Sequence, residues 1–251
     1  MTSLADELAF AHELADAADA VALPYFVNRS FHLDWKANRT EVTEADRNTE
    51  SAISSMVLAS RPAHGLFGEE HGLVGDASSP WRWVVDPIDG TSNFVRGIPV
   101  WASLIALERD GVVVCGVASA PALGHRWWAA RGEGAYRDGE RIHVSQIDAI
   151  EQATVSFSRS GLDDPRTIDL ALRAWHAQPF SDFWAHLLVA EGAVEVAVEH
   201  EMNPWDNAVL QVVVEEAGGR FTDLAGNAHY DGGSAISTNG VLHDAVVAQF
   251  A

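Results

Sequence analysis

A layered α/β (α+β) chain built as two packed halves is the fold class this sequence predicts, on three observations. Helical periodicity opens the chain, and short apolar runs joined by Asp-Gly turns fill its middle. Helix and strand patterns then alternate after about Arg141. At 251 residues the chain suits one large domain or two small ones sharing a face. Hydrophobic residues are 47% and charged residues 21%, enough for a sizeable core and unlike a disordered chain. The expected halves are residues 1–140, an α+β half with an antiparallel sheet, and 141–251, an α/β half.

Leu4, Leu8, Ala11, Leu14, Ala18 and Val21 recur at helical spacing, and Pro24 is expected to end that helix. Thr43 is the expected N-cap of a second helix that carries Ile53, Met56 and Val57 inward. Trp83–Val85, Val100–Leu107, Val112–Ala120 and Arg126–Ala130 read as strands, with turns at Asp110-Gly111 and Asp138-Gly139. A strand at Thr154–Phe157 precedes helices at Pro165–Trp175 and Asp182–Glu191, then a strand at Val194–Val198. A last helix spans Trp205–Ala217, with Asn203 as cap, Pro204 at its first position and Gly218 past its end.

Lys+Arg 16 against Asp+Glu 36 leaves a net charge of −20, so nucleic acid and anionic membranes are poor partners. An anionic substrate would need a bound cation to invert the charge locally. Cys115 is the only cysteine, which excludes an internal disulfide and a cysteine zinc site. Met1–Leu23 lacks Lys and Arg, unlike a signal peptide, and no apolar run reaches the roughly 18 residues of a membrane span. The expectation is a soluble, cytoplasmic protein.

No Walker loop, Gly-x-Ser-x-Gly or His-Glu-x-x-His occurs, and none of the eleven histidines pairs at metal-ligand spacing. Arg131-Gly-Glu-Gly-Ala-Tyr136 reads as a hairpin turn. The informative stretch is Trp83-Val-Val-Asp-Pro-Ile-Asp-Gly-Thr-Ser-Asn-Phe94. An apolar strand runs into Asp86, where Pro87 is expected to stop it. Asp89 can curl back toward the same point, and the amides of Gly90, Thr91 and Ser92 can cradle an anion at the start of a short helix. Carboxylates beside such a nest call for hard cations between them, and magnesium fits.

Asp86-Pro-Ile-Asp-Gly-Thr91 resembles the signature of the inositol monophosphatase family of magnesium-dependent, lithium-sensitive phosphatases. Gly68-Glu69-Glu70 before it agrees, as do Trp205-Asp206-Asn-Ala-Val-Leu210 and Glu216-Ala-Gly-Gly219 after it. The resemblance spans nearly the whole chain. It implies the inositol-monophosphatase / sugar-phosphatase fold, with helix and sheet layers in the order αβαβα. It also implies two or three Mg2+ per site. Glu69, Asp86 and the Ile88 carbonyl would hold the first, Asp86, Asp89 and Asp206 the second, and Glu69 would serve a third through water. Which of Glu69 and Glu70 is the ligand rests on the family pattern alone. Val42-Thr-Glu-Ala-Asp46 is similar to the segment whose Asp bonds the signature Thr. Asp46 and Thr91, with Glu69, are thereby implied as the catalytic set that activates a water; Asp46 reads equally as a first-turn helix acid.

Asn93–Leu107, Ala118–Leu123, Arg126–Ala130 and Leu188–Ala193 resemble the actinobacterial histidinol-phosphatase branch. That branch implies L-histidinol phosphate as substrate, with an inositol-1-phosphate or other small polyol or sugar phosphate phosphatase as the rival. An inactive binding or scaffold member of the family is the rival of another class. Asp182 and Glu199 match the positions that contact the leaving alcohol, though they read equally as a helix cap and a rim acid. Trp101 and Trp127-Trp128 could stack an imidazole, but core packing is their default. The chain departs from the branch at Ser92 (usually Lys), Gln178 and Ser181 (Arg and Gly), and Asn38 and Glu41 (Asp and Pro). A small phosphorylated metabolite and a second copy in a homodimer are the implied partners.

Overall fold

Ser3 starts the first helix by a reciprocal cap, its hydroxyl accepting the Asp6 amide while the Asp6 carboxylate takes the Ser3 N–H. The computed structural model describes residues 3–36, 40–180 and 182–251, so Asn38 and Ser181 lie outside the described residues. Helix α1 (Leu4–Asn28) does not stop at Pro24. It continues another turn to Arg29, whose φ of 54° closes it in the left-handed region. Pro24 is exposed, and so is Ala20, the residue whose carbonyl the proline deprives of a donor. The extra turn delivers Phe26 onto Phe94 and Trp101, at ring-centroid distances of 5.5 and 5.4 Å. That packing outweighs the local breaker.

The chain forms two compact units, Met1–Trp128 and Ala129–Ala251. In the first, β1 (Leu33–Trp35) pairs antiparallel with β2 (Glu41–Thr43), which leads directly into α2 (Glu44–Ser60). Then come β3 (Gly65–Gly68), β4 (Gly72–Gly75), β5 (Trp81–Asp89), the short helix α3 (Thr91–Arg96), β6 (Ala102–Arg109), β7 (Val112–Ala120) and β8 (His125–Ala130). Their sheet runs β4-β3-β5-β6-β7-β8. The β3–β5 pair is parallel, whereas β3–β4, β5–β6 and β6–β7 are antiparallel. Asp110 and Gly111 both take positive φ between β6 and β7, as the Asp-Gly signal required. Helices α1 and α2 pack on each other and on the sheet. Beneath β5, Ile88, Phe94 and Trp101 form a fully buried cluster with Ala22 and Ala45.

The second unit carries the hairpin β9 (Gly134–Arg137) and β10 (Glu140–Ile142), then β11 (Thr154–Phe157), α4 (Pro165–Arg173), β12 (His176–Ala177), α5 (Asp182–Ala190), β13 (Val196–Glu199), α6 (Pro204–Glu216), β14 (Arg220–Thr222), β15 (Ala235–Thr238) and α7 (His243–Phe250). Its sheet order is β12-β11-β13-β15-β14, parallel through β13 and antiparallel beyond it. Val155, Leu170, Val196, Val198, Ile236 and Val246 form its core. No helix among the described residues is long and apolar enough to cross a membrane.

Candidate active site

Strand β5 passes straight through Pro87, contrary to the expected stop at Asp86. A bulge makes this possible: Asp86 faces Leu104 and Asp89 faces Ala102, so three steps on β5 match two on β6. The Pro87 carbonyl accepts from the buried Ser103 hydroxyl at 2.7 Å, and Asp86 Oδ1 accepts the Ile88 N–H at 2.9 Å. In a regular strand, residues three apart point to opposite faces. The added residue instead brings carboxylate oxygens of Asp86 and Asp89 within 4.8 Å of each other. Gly90 follows at φ 81°, where a Cβ would also meet the Val100 carbonyl at 3.0 Å, and α3 begins.

Asp46 arrives from α2. Thr43 caps that helix as expected, and Asp46 Oδ2 accepts from the Thr43 N–H (2.8 Å) and hydroxyl (2.6 Å). Its other oxygen, Oδ1, faces Thr91 at 3.2 Å and shares the single proton of that hydroxyl with the Ile88 carbonyl at 3.0 Å. Burial pushes the Asp46 carboxyl up to about 6; the two Thr43 bonds oppose that rise, and the charges of Glu70 and Glu69 add to it. Ser92, next on α3, gives its hydroxyl to Glu41 Oε2 at 2.5 Å, and Arg96 Nη1 holds the same carboxylate at 3.0 and 3.1 Å.

Glu69 and Glu70 converge on Lys36, whose Nζ lies 2.7 Å from Glu69 Oε1 and 2.6 Å from Glu70 Oε1. Burial opposes the ammonium charge, but the two carboxylates outweigh it and raise its pKa. Glu50 on α2 holds the turn from below, accepting the Glu70 and His71 N–H groups, each at 2.8 Å. Gly68 makes room for that carboxylate: a Cβ there would lie 2.1 Å from Glu50 Oε1 and push it off the turn. No motif announced Glu50. Lys36 carries one sequence signal: it is the only lysine in the chain.

In the second unit, Asp206 occupies the first turn of α6, where Oδ2 accepts the Asn203 N–H at 2.8 Å and the Asn203 side chain at 3.2 Å. A helix N-terminus favours that charge. Asp182 opens α5 at φ 51°. Glu199, at the end of β13, is no rim acid: it is only 3% exposed, because the strand is buried along its whole length. Burial pushes its carboxyl up to about 8, opposed by a Ser158 hydrogen bond and reinforced by Asp182 and Asp206. Its Oε1 is buried with no hydrogen-bond partner among the described residues. Glu216 instead serves the fold, taking the Gly132 and Gly134 N–H groups at 3.0 Å each. Trp101 and Trp127 are core residues, 0% and 1% exposed.

The sequence pattern of the inositol monophosphatase family matches residues 3–251. This chain belongs to that family. Among its relatives, the histidinol-phosphatase of Mycobacterium tuberculosis is 48% identical, with 96% of each chain covered. That of Streptomyces coelicolor is 41% identical, over 97% of this chain and 96% of the relative. Among solved structures, an IMPase of Thermotoga maritima superposes at a TM-score of 0.89 and 30% identity, covering 98% of this chain and 96% of that one. The layered α/β fold expected from the sequence is therefore that of the inositol monophosphatases. The protein is a phosphoric monoester hydrolase of a metal-dependent family that acts on small phosphorylated substrates. The donor groups at the β5 bulge fit such a metal: they are oxygens only, carboxylate and carbonyl, the set that hard divalent cations take.

Proposed function

We propose that this enzyme hydrolyses L-histidinol phosphate to L-histidinol and inorganic phosphate. In this reading Glu69, Asp86, the Ile88 carbonyl, Asp89 and Asp206 hold two or three magnesium ions. The active protein is a cytoplasmic homodimer. Magnesium bound there would neutralise phosphate oxygens and make a coordinated water more acidic. Gly90, Thr91 and Ser92 offer backbone N–H groups to the phosphate. Thr91 and Asp46 handle the proton. Since the Thr91 hydroxyl donates to Asp46 Oδ1, its lone pairs are left to accept from the attacking water, and the proton passes by way of Thr91 to Asp46. Water attacks phosphorus in line, the P–O bond to the alcohol breaks, the departing alkoxide takes a proton from solvent water to leave as the alcohol, and no phosphoenzyme forms.

Glu199 carries the choice of alcohol. A buried carboxyl with an unpartnered oxygen, beside two further acids, is relieved by a cation. Histidinol supplies one in its ammonium group, which Asp182 and Glu199 would take. The two histidinol-phosphatases at 48% and 41% identity support the same substrate. The test is phosphate release with magnesium on histidinol phosphate, inositol 1-phosphate, fructose 1,6-bisphosphate and a 3′-phosphoadenosine nucleotide. A strong preference for histidinol phosphate is expected; equal and feeble rates on all four would remove the substrate assignment.

A further inference from the structure

Glu41 on β2 and Ser92 on α3 are bonded to each other at 2.5 Å across 51 residues of sequence. We propose that Glu41 is a positioning residue for the Asp46–Thr91 pair, locking α3 to β2 through the Ser92 hydroxyl. The inference rests on the proposed proton-handling role of that pair. Glu41 and Thr43 are two apart on β2 and so share a face. Thr43 fixes Asp46, and Asp46 takes the Thr91 hydroxyl; Glu41 takes the hydroxyl of the very next residue. Two adjacent carboxylate–hydroxyl bonds therefore tie the first two residues of α3 to β2 and the cap of α2. Without the Ser92 bond, the Thr91 hydroxyl, 3.2 Å from Asp46 and 3.0 Å from the Ile88 carbonyl, would be free to turn to the nearer carbonyl and away from Asp46.

The rest of α3 is braced in the same way. Arg96 holds the Glu41 carboxylate and returns to the Ser92 carbonyl at 2.9 Å, so it bridges both ends of the lock. From the other side Arg29, which closes α1, donates to the Val95 carbonyl at 2.7 Å and the Phe94 carbonyl at 3.4 Å. Glu41 is 9% exposed and remains a carboxylate: burial opposes its charge, and the Ser92 and Arg96 bonds outweigh the opposition. A further consequence concerns Ser92. With its hydroxyl donated to Glu41, Ser92 offers a phosphate only its backbone N–H.

Steady-state kinetics with magnesium, on whichever panel ester is turned over fastest, test the lock, with melting temperature recorded for each variant. Glu41→Ala and Ser92→Ala should each lower kcat by roughly tenfold while KM moves by less than about threefold. Ser92 is exposed, so its variant should melt close to the wild type. Glu41→Gln keeps an acceptor oxygen for Ser92 and should recover kcat to within about threefold of the wild type. The double alanine variant should be no slower than the slower single, because both remove one bond. Wild-type kcat in both alanine variants, a glutamine variant as slow as alanine, or additive losses would each overturn the positioning role. Thr91→Ala separates the two readings. If it too keeps wild-type kcat, the proton-handling role falls and this inference with it. If it is inactive while Glu41→Ala and Ser92→Ala are unimpaired, only this inference falls.

Discussion

A buried acid that lacks its partner sets a pH limit on the fold. The Glu199 carboxyl rises from 4.5 to about 8, mainly through burial. Between those values the folded chain keeps a proton that the unfolded chain has released, so stability falls as pH climbs through the window. Glu199→Gln removes that penalty. With chelator present, the variant should melt above the wild type at pH 8 and beyond, by the equivalent of a few kcal/mol at most. The gain should vanish near pH 4.5, where both proteins hold a neutral side chain. A gap that stays constant across that range would show that the buried Glu199 carboxyl is not raised in the folded chain. Asp86 gives the complementary test. Asp86→Asn keeps Oδ1 as an acceptor for the Ile88 N–H, so the bulge should persist while the charge is lost. Outer-shell changes at metal sites typically cost about 10–100-fold, so turnover should drop by more than roughly a hundredfold. Magnesium affinity by calorimetry should fall with it; near-normal activity would refute the assignment. The residues around the β5 bulge were legible in the sequence because their chemistry is contiguous: Asp86, Ile88, Asp89 and Thr91 fall within six residues. Glu50 and Lys36 were not, since each acts from a distant segment and no spacing rule connects it to Glu69.

Elements here are shaped by tertiary contacts where local rules point elsewhere. Pro24 and Pro87 both read as stops, yet α1 and β5 run through them. In α1 the bond is lost between exposed residues while Phe26 gains Phe94 and Trp101; in β5 the bulge absorbs the missing donor and creates the Asp86–Asp89 approach. The long, strongly patterned elements were readable: β7 runs from Val112 to Ala120 as expected, and α6 begins at Pro204 behind Asn203. The pairs β1–β2 and β3–β4 were not, because strands of three and four residues carry too little alternation to register. The β3–β4 turn nevertheless carries Glu69 and Glu70, and its geometry depends on Gly68. Gly68→Ala should drive Glu50 off the Glu70 and His71 N–H groups, costing about 1–3 kcal/mol in urea unfolding. In the Glu50→Ala background the same glycine substitution should cost much less, since the clashing carboxylate is gone. Additive costs would place the constraint on Gly68 elsewhere.

At the scale of the whole molecule, the chain's net charge of −20 acts on every substrate before any contact forms. A phosphomonoester carries about −1.5 to −2 at pH 7, so a polyol phosphate approaches against the protein's field. Histidinol phosphate carries the same phosphate with an ammonium group, and its imidazole, with an ordinary pKa near 6.5, adds a partial positive charge. Its net charge is therefore near −1 or smaller, and the long-range repulsion is at most about half as large. Salt screens that repulsion over a Debye length of about 10 Å at 0.1 M. With magnesium held saturating, kcat/KM for inositol 1-phosphate should rise as potassium chloride increases from about 0.02 to 0.2 M. The value for histidinol phosphate should stay flat or fall, because the same salt also screens the attraction of its ammonium group to Asp182 and, above about pH 8, to Glu199. The sign of the two slopes thus reports whether those acids face the leaving group. Parallel rises for both substrates would mean that the ammonium group finds no acidic partner in the site.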